Sequence, residues 1–108
     1  MPSARVVLVT HPPRGARAFA RLLIEQRLAA CVNLVPVAAL YRWRGKIEGA
    51  REVLLVVKTT ATRLRELERC VRDEHPYECP EFVVLAPEHV ASDYSRWLGE
   101  ETLRSGSG

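Results

Sequence analysis

The sequence predicts an α+β fold: one antiparallel sheet with its two main helices on a single face, and an extra helix at the C-terminus. Three observations predict it. Apolar runs of strand length alternate with stretches of helical periodicity in the order βαββαβ, and one more helical stretch follows. The stretch from Ala30 to Thr60 reads as two long strands with no helix between them, so they pair as a hairpin. The 108 residues, 47% hydrophobic and 27% charged, provide one core and no second.

Arg5-Val-Val-Leu-Val-Thr10 is a short, almost wholly apolar strand that ends at His11-Pro12-Pro13, where the sheet ladder loses its donors. From Gly15 to Leu28, Phe19, Leu22 and Leu23 recur at helical spacing, while Arg14, Arg17 and Arg21 mark the solvated side. The first long strand runs from Cys31 to Ile47 and the polar turn falls at Glu48-Gly49-Ala50-Arg51. Fully extended, that arm spans roughly 55 Å, against a diameter of some ~34 Å for a compact chain of this length. It therefore bends or projects, and Tyr41 and Trp43 share one face near its tip.

A second helix covers Ala61 to Asp73, capped by Thr60 or Thr62, with Leu64, Leu67 and Val71 inward. Two X-Pro steps stiffen Glu74-His75-Pro76-Tyr77-Glu78-Cys79-Pro80-Glu81. Phe82 to Ala86 is the fourth strand, and Ser92-Asp93 caps a last helix carrying Tyr94, Trp97 and Leu98. Residues 1–104 form the domain, and Ser105-Gly-Ser-Gly108 reads as a flexible tail. With right-handed crossovers the order gives the ferredoxin-like, split-βαβ arrangement.

An antiparallel sheet with one wet face alternates apolar and polar residues. Val53-Leu-Leu-Val-Val57 and Val6-Val-Leu-Val9 do not. Both faces of these strands are dry, which calls for a partner chain or the last helix as a lid. The first long strand is a sheet edge in this topology, consistent with Pro36, and its free backbone groups invite pairing with a neighbouring subunit. The residues assigned to a self-association surface are Tyr41, Trp43, Pro36 and Trp97.

Composition excludes several classes. No apolar run approaches the ~20 residues of a membrane span. The segment Met1-Pro-Ser-Ala-Arg5 is no signal peptide. Three cysteines without zinc-finger spacing suit a reducing compartment, so the cytoplasm is expected. Cys31 and Cys70 read as buried hydrophobes and Cys79 as the exposed thiol. His11 and His89 beside strand ends read as solvent-exposed. The net charge of +3 is modest and the arginines are scattered, so no nucleic-acid footprint emerges. An RNA-binding βαββαβ module places aromatics on its third strand; this third strand has none. No phosphate loop, Ser/His/Asp motif or HExxH helix marks an enzyme.

Five blocks in order, Leu28-Ala-Ala-Cys-Val-Asn33, Trp43-Arg-Gly-Lys-Ile-Glu48, Val57-Lys-Thr-Thr60, His75-Pro-Tyr-Glu-Cys-Pro-Glu81 and Asp93-Tyr-Ser-Arg-Trp-Leu98, resemble the CutA divalent-cation-tolerance family. The match covers roughly residues 5–102. The resemblance implies a ferredoxin-like homotrimer, a role in tolerance to copper and other divalent cations, and a likeness in shape to the PII signalling proteins. In the family, metal binding is attributed to a Cys near the end of the first strand and to two adjacent His before Pro-Tyr. This chain has Val9 and Glu74 at two of those positions, and His75 at the third.

From the residues themselves, His75 with Glu74 or Glu78 offers imidazole and carboxylate to copper or zinc, with no obligatory cofactor. The competing reading makes His75 a packed connection whose imidazole bonds backbone. Lys58, Tyr77, Glu81 and Glu48 are the candidate polar and aromatic lining of an inter-subunit cleft. An alternative is a PII-like sensor that binds a small-molecule or nucleotide effector there, with Lys58 as the basic group.

Overall fold

The computed structural model describes residues 3–104. Strand β1 (Ala4–His11), helix α1 (Ala16–Glu25) and strands β2 (Cys31–Trp43) and β3 (Lys46–Thr60) come first; a 3-10 turn (Ala61–Arg63) then leads into helix α2 (Leu64–Glu74), strand β4 (Val83–Leu85) and helix α3 (Ser92–Glu101). The sheet order is β2-β3-β1-β4, all antiparallel, which is the ferredoxin-like topology expected from sequence. The tail at residues 105–108, read from sequence as flexible, lies outside the described residues.

Residue parity divides the sheet into two faces. Val7 and Val9 of β1 and Leu55 and Val57 of β3 are fully buried against Phe19 and Leu23 of α1 and Leu67 and Val71 of α2. Both main helices therefore sit on that face. Opposite it lie Leu8, Leu54, Val56, Val35, Val83 and Leu85, and α3 covers only the end near Thr60. There the Thr102 hydroxyl meets that of Thr60 at 3.2 Å and Tyr94 reaches Cys31. Val35, Val83 and Leu85 remain 41–46% exposed. The doubly apolar strands are thus explained in part by α3, and a strip of this face stays uncovered.

The β2-β3 hairpin outruns the rest of the sheet. Pairing with β1 ends at Val53, whereas pairing within the hairpin continues from Pro36↔Val53 to Trp43↔Lys46. That overhang is roughly 23 Å at ~3.3 Å per residue, and the molecule's longest dimension is 47 Å. The arm projects rather than folding back.

Four local expectations are corrected. The hairpin turns at Arg44-Gly45, not at Glu48 to Arg51: both residues have left-handed φ (51° and 81°), as a two-residue type I′ turn requires. Glu48 to Arg51 are strand residues facing Tyr41 to Ala38, and their polar composition reflects an arm wet on both sides. Neither Thr60 nor Thr62 caps α2; Thr60 is extended and its hydroxyl bonds Thr62 and Thr102 instead. The helix α3 starts after Ala91 with no side-chain cap. His11 is buried, 4% exposed, because its parity points it into the helix face against Phe19 at 5.1 Å.

Two arginines secure the end of α1. Arg27 takes φ 57°, and the bonds Arg27 N–H to Ile24 O and Leu28 N–H to Leu23 O close a Schellman turn. Buried Arg63 then donates to the carbonyls of Gln26 and Arg27 and pairs with Glu66 at 2.9 Å.

Candidate functional site

A cavity of about 620 Å³ opens at the base of the arm, where β1 ends and the hairpin continues alone. Tyr41 and Trp43 of β2, Glu52 of β3 and Thr10 of β1 form one side, and residues 77–81 form the other. Strand alternation explains the selection. Tyr41 and Trp43 are odd in β2 and Glu52 is even in β3, positions the register places on one face, away from α1 and α2.

His75 brings the second wall into place. It ends α2 with extended φ,ψ (−81°, 139°), as the following proline demands. The residue is 8% exposed, with its ring against His11 at 4.8 Å, Phe19 at 5.7 Å and Tyr77 at 4.9 Å. Nε2–H donates to the Thr10 carbonyl at 2.7 Å and Nδ1 accepts the Tyr77 N–H at 3.0 Å. Burial lowers the pKa of His75, which agrees with a neutral ring in this tautomer. Tyr77 then points its hydroxyl to Glu52 Oε2 at 2.7 Å. Burial, with the bond to Glu52 second, raises the phenol's pKa, so it stays protonated as the donor. Glu81 Oε1 accepts from Thr10 Oγ1 at 3.4 Å. At the mouth, Arg44 pairs with Glu78 at 3.4 Å and lies 5.5 Å from the Trp43 ring centre. That ion pair is largely solvated and contributes little to stability.

Of the residues singled out from sequence, Tyr41, Trp43, Tyr77, Glu78 and Glu81 meet in this cavity. Glu48 sits further out on the arm, opposite Tyr41. Lys58 lies toward the other end of the face, six residues or roughly 20 Å along β3 from Glu52, bonded to Asn33. Trp97, 39% exposed, packs against Tyr94 with the rings tilted and their centres 5.6 Å apart. Pro36 stands on edge strand β2, as expected. Cys31 and Cys70 are half-buried and Cys79 is exposed.

The metal set read from sequence is not assembled within one chain. Both ring nitrogens of His75 are engaged, leaving it no lone pair for an ion. Glu74 is exposed at the end of α2, where its charge adds to the burial that raises the Cys70 pKa. Glu78 turns to Arg44. Among the described residues no three His, Cys, Asp or Glu side chains converge on one point, whereas a specific copper or zinc site takes about four ligands. The packed-connection reading of His75 is the one the geometry supports. Sequence reasoning missed Glu52, Thr10 and Arg63. Glu52 could have been found: it shares parity with Leu54, Val56 and Lys58, so its carboxylate had to enter an apolar face.

A projecting hairpin on a four-stranded antiparallel sheet of order β2-β3-β1-β4 makes this an α+β protein of the ferredoxin-like class. The family profile described as "CutA1 divalent ion tolerance protein" matches residues 5–101. The divalent-cation tolerance protein CutA of Thermus thermophilus is 44% identical over 99 residues, covering 90% of this chain and 96% of the relative. That of Citrobacter koseri is 41% identical over 100 residues, covering 91% and 87%. Among solved structures, the PII-like protein CutA from Nostoc sp. PCC 7120 in apo form superposes with a TM-score of 0.89 at 34% identity, covering 93% of this chain and 98% of that one. The T. thermophilus structure gives 0.87 at 44% identity, covering 92% and 98%. The chain belongs to the CutA family.

Proposed function

We propose that the chain acts as a non-enzymatic, cytoplasmic homotrimer in divalent-cation tolerance, binding copper or other divalent ions weakly at the clefts between subunits. One observation carries this reading. The strip formed by half-buried Leu8, Leu54 and Val56 and exposed Val35, Val83 and Leu85 lies beside an arm that extends beyond its own sheet. A second and third copy supply the cover most economically, since β2 is also an open edge. The cation role is supported by Glu48, Glu78 and Glu81, which lie on or against the arm. Because no three ligands converge among the described residues of one chain, an ion would be shared between subunits, and carboxylate sharing gives weak, unselective binding.

Light scattering tests the assembly: the expected mass is three times the 12.2 kDa chain, and a folded monomer at micromolar concentration overturns it. Leu54→Glu should dissociate the assembly. Titration of Cu(II) and Zn(II) should release heat that falls in Glu78→Gln/Glu81→Gln. Unchanged heats overturn the carboxylate assignment, and loss in His75→Ala alone returns the imidazole as ligand.

A second reading has one observation in its favour, the description of the Nostoc relative as PII-like. It makes the clefts effector sites. Thermal shifts with adenine nucleotides against those with divalent ions separate the two. The three carboxylates lining the cavity repel phosphate, and Lys58 stands away from it.

A further inference from the structure

We propose that the cavity at the base of the arm binds small organic ammonium ions, with Glu52 as the charge partner and Trp43, Tyr41 and Tyr77 as the aromatic walls. This goes beyond the divalent-ion reading and fails separately from it.

The starting point is Glu52. Its side chain sits within the sheet, with the residue only 8% exposed, and it has no ion pair among the described residues; its one bond is the neutral hydroxyl of Tyr77 on Oε2. The carboxylate faces the cavity with a single neutral donor, so its charge is open to a cation entering there. Oε1 has no donor among the described residues, and Glu52 lines the cavity. The remaining lining repeats the demand: Glu78 and Glu81 are there, and no Lys, Arg or His is.

The walls decide what kind of cation fits. Aromatic faces attract positive charge through their quadrupoles, Trp most strongly. Arg44 already shows the interaction at the mouth, 5.5 Å from the Trp43 centre. A bare divalent ion calls instead for a shell of six or so oxygens at about 2.0–2.6 Å, and among the described residues no three ligands converge. A space of about 620 Å³ lies in the range of small-molecule sites, roughly 300–1,000 Å³. Charge carried on an apolar body suits it, and the open Oε1 selects a cation that has an N–H to donate.

The probe is benzylammonium, compared with its neutral isostere benzyl alcohol and with zinc, by ligand-observed NMR and calorimetry on the wild-type assembly. Benzylammonium should bind at least about tenfold more tightly than benzyl alcohol. Glu52→Gln keeps an acceptor for Tyr77 but removes the charge, and should cost about tenfold in affinity. Trp43→Leu, on the exposed arm, should weaken binding several-fold with the fold intact. Equal binding of the alcohol, or an unaffected Glu52→Gln, overturns the proposal. Glu52-dependent binding of zinc alone makes the cavity an inorganic site and also overturns it. If no probe binds and Glu52→Gln loosens the assembly, a basic side chain of a neighbouring copy takes the place, and the proposal fails.

Discussion

The hydroxyl of Tyr77 donates to Glu52 Oε2 at 2.7 Å, joining the loop after α2 to the base of the β2-β3 arm. The two residues are 25 apart in sequence, and no local periodicity links them. The bond depends on His75, whose ring holds the Tyr77 backbone and the Thr10 carbonyl together.

Tyr77→Phe should therefore lower stability by about 1–3 kcal/mol, because it leaves a buried carboxylate without its donor. Glu52→Gln should cost less, since the amide oxygen still accepts. Urea unfolding of the two variants side by side checks the order; equal midpoints contradict it.

The pH dependence follows from His75. Burial holds its folded pKa below the unfolded value, so the unfolded chain binds the proton first. The stabilising contribution is complete above ~6.5 and is lost as pH falls from there through the folded pKa. Protonation would also give Nδ1 a proton that clashes with the Tyr77 N–H. The nearby His11 ring adds to the effect and the Glu52 carboxylate opposes it. Thermal melts between pH 7.5 and 5 should show falling stability in wild type and a flatter profile in His75→Gln.

Arg63→Ala should lower stability by about 1–3 kcal/mol. It strips the carbonyls of Gln26 and Arg27 of their shared donor at the end of α1 and removes one partner of Glu66. Arg63→Lys should rescue only part, because an ammonium cannot reproduce the planar fork. Denaturant midpoints measure both.

Two glycines in the arm should respond differently. Gly45→Ala forces a Cβ onto φ 81° in the type I′ turn and should cost about 1 kcal/mol. Gly49→Ala presses on the Leu40 side chain at 3.2 Å, which is 82% exposed and free to move, and meets the Ala39 carbonyl only at an ordinary contact distance of 3.8 Å. Its effect should be within about 0.5 kcal/mol. Melting temperatures of the pair check that the turn lies at Gly45 and not at Gly49.

Much of the fold could be read from pattern alone. Leu67 and Val71 sat at helical spacing, Val7 and Val9 at strand spacing, and all four are in the core. Pattern alone does not place the turn, because Glu48-Gly49 is as polar as Arg44-Gly45 and only backbone φ separates them. Nor does it place His11, because one further strand residue sets which face that side chain meets. The cavity was half visible: the aromatic arm and the His75-Pro-Tyr77 loop were singled out, while Glu52 was not.

The sequence by itself determined the element order, the presence of a long two-stranded arm and the surplus of apolar sheet surface, since each follows from local periodicity and composition. Only the tertiary structure decided that both nitrogens of His75 are committed and that Tyr77 closes on Glu52. Those contacts span 65 and 25 residues, and their geometry is fixed by strand register and packing, which no local pattern encodes.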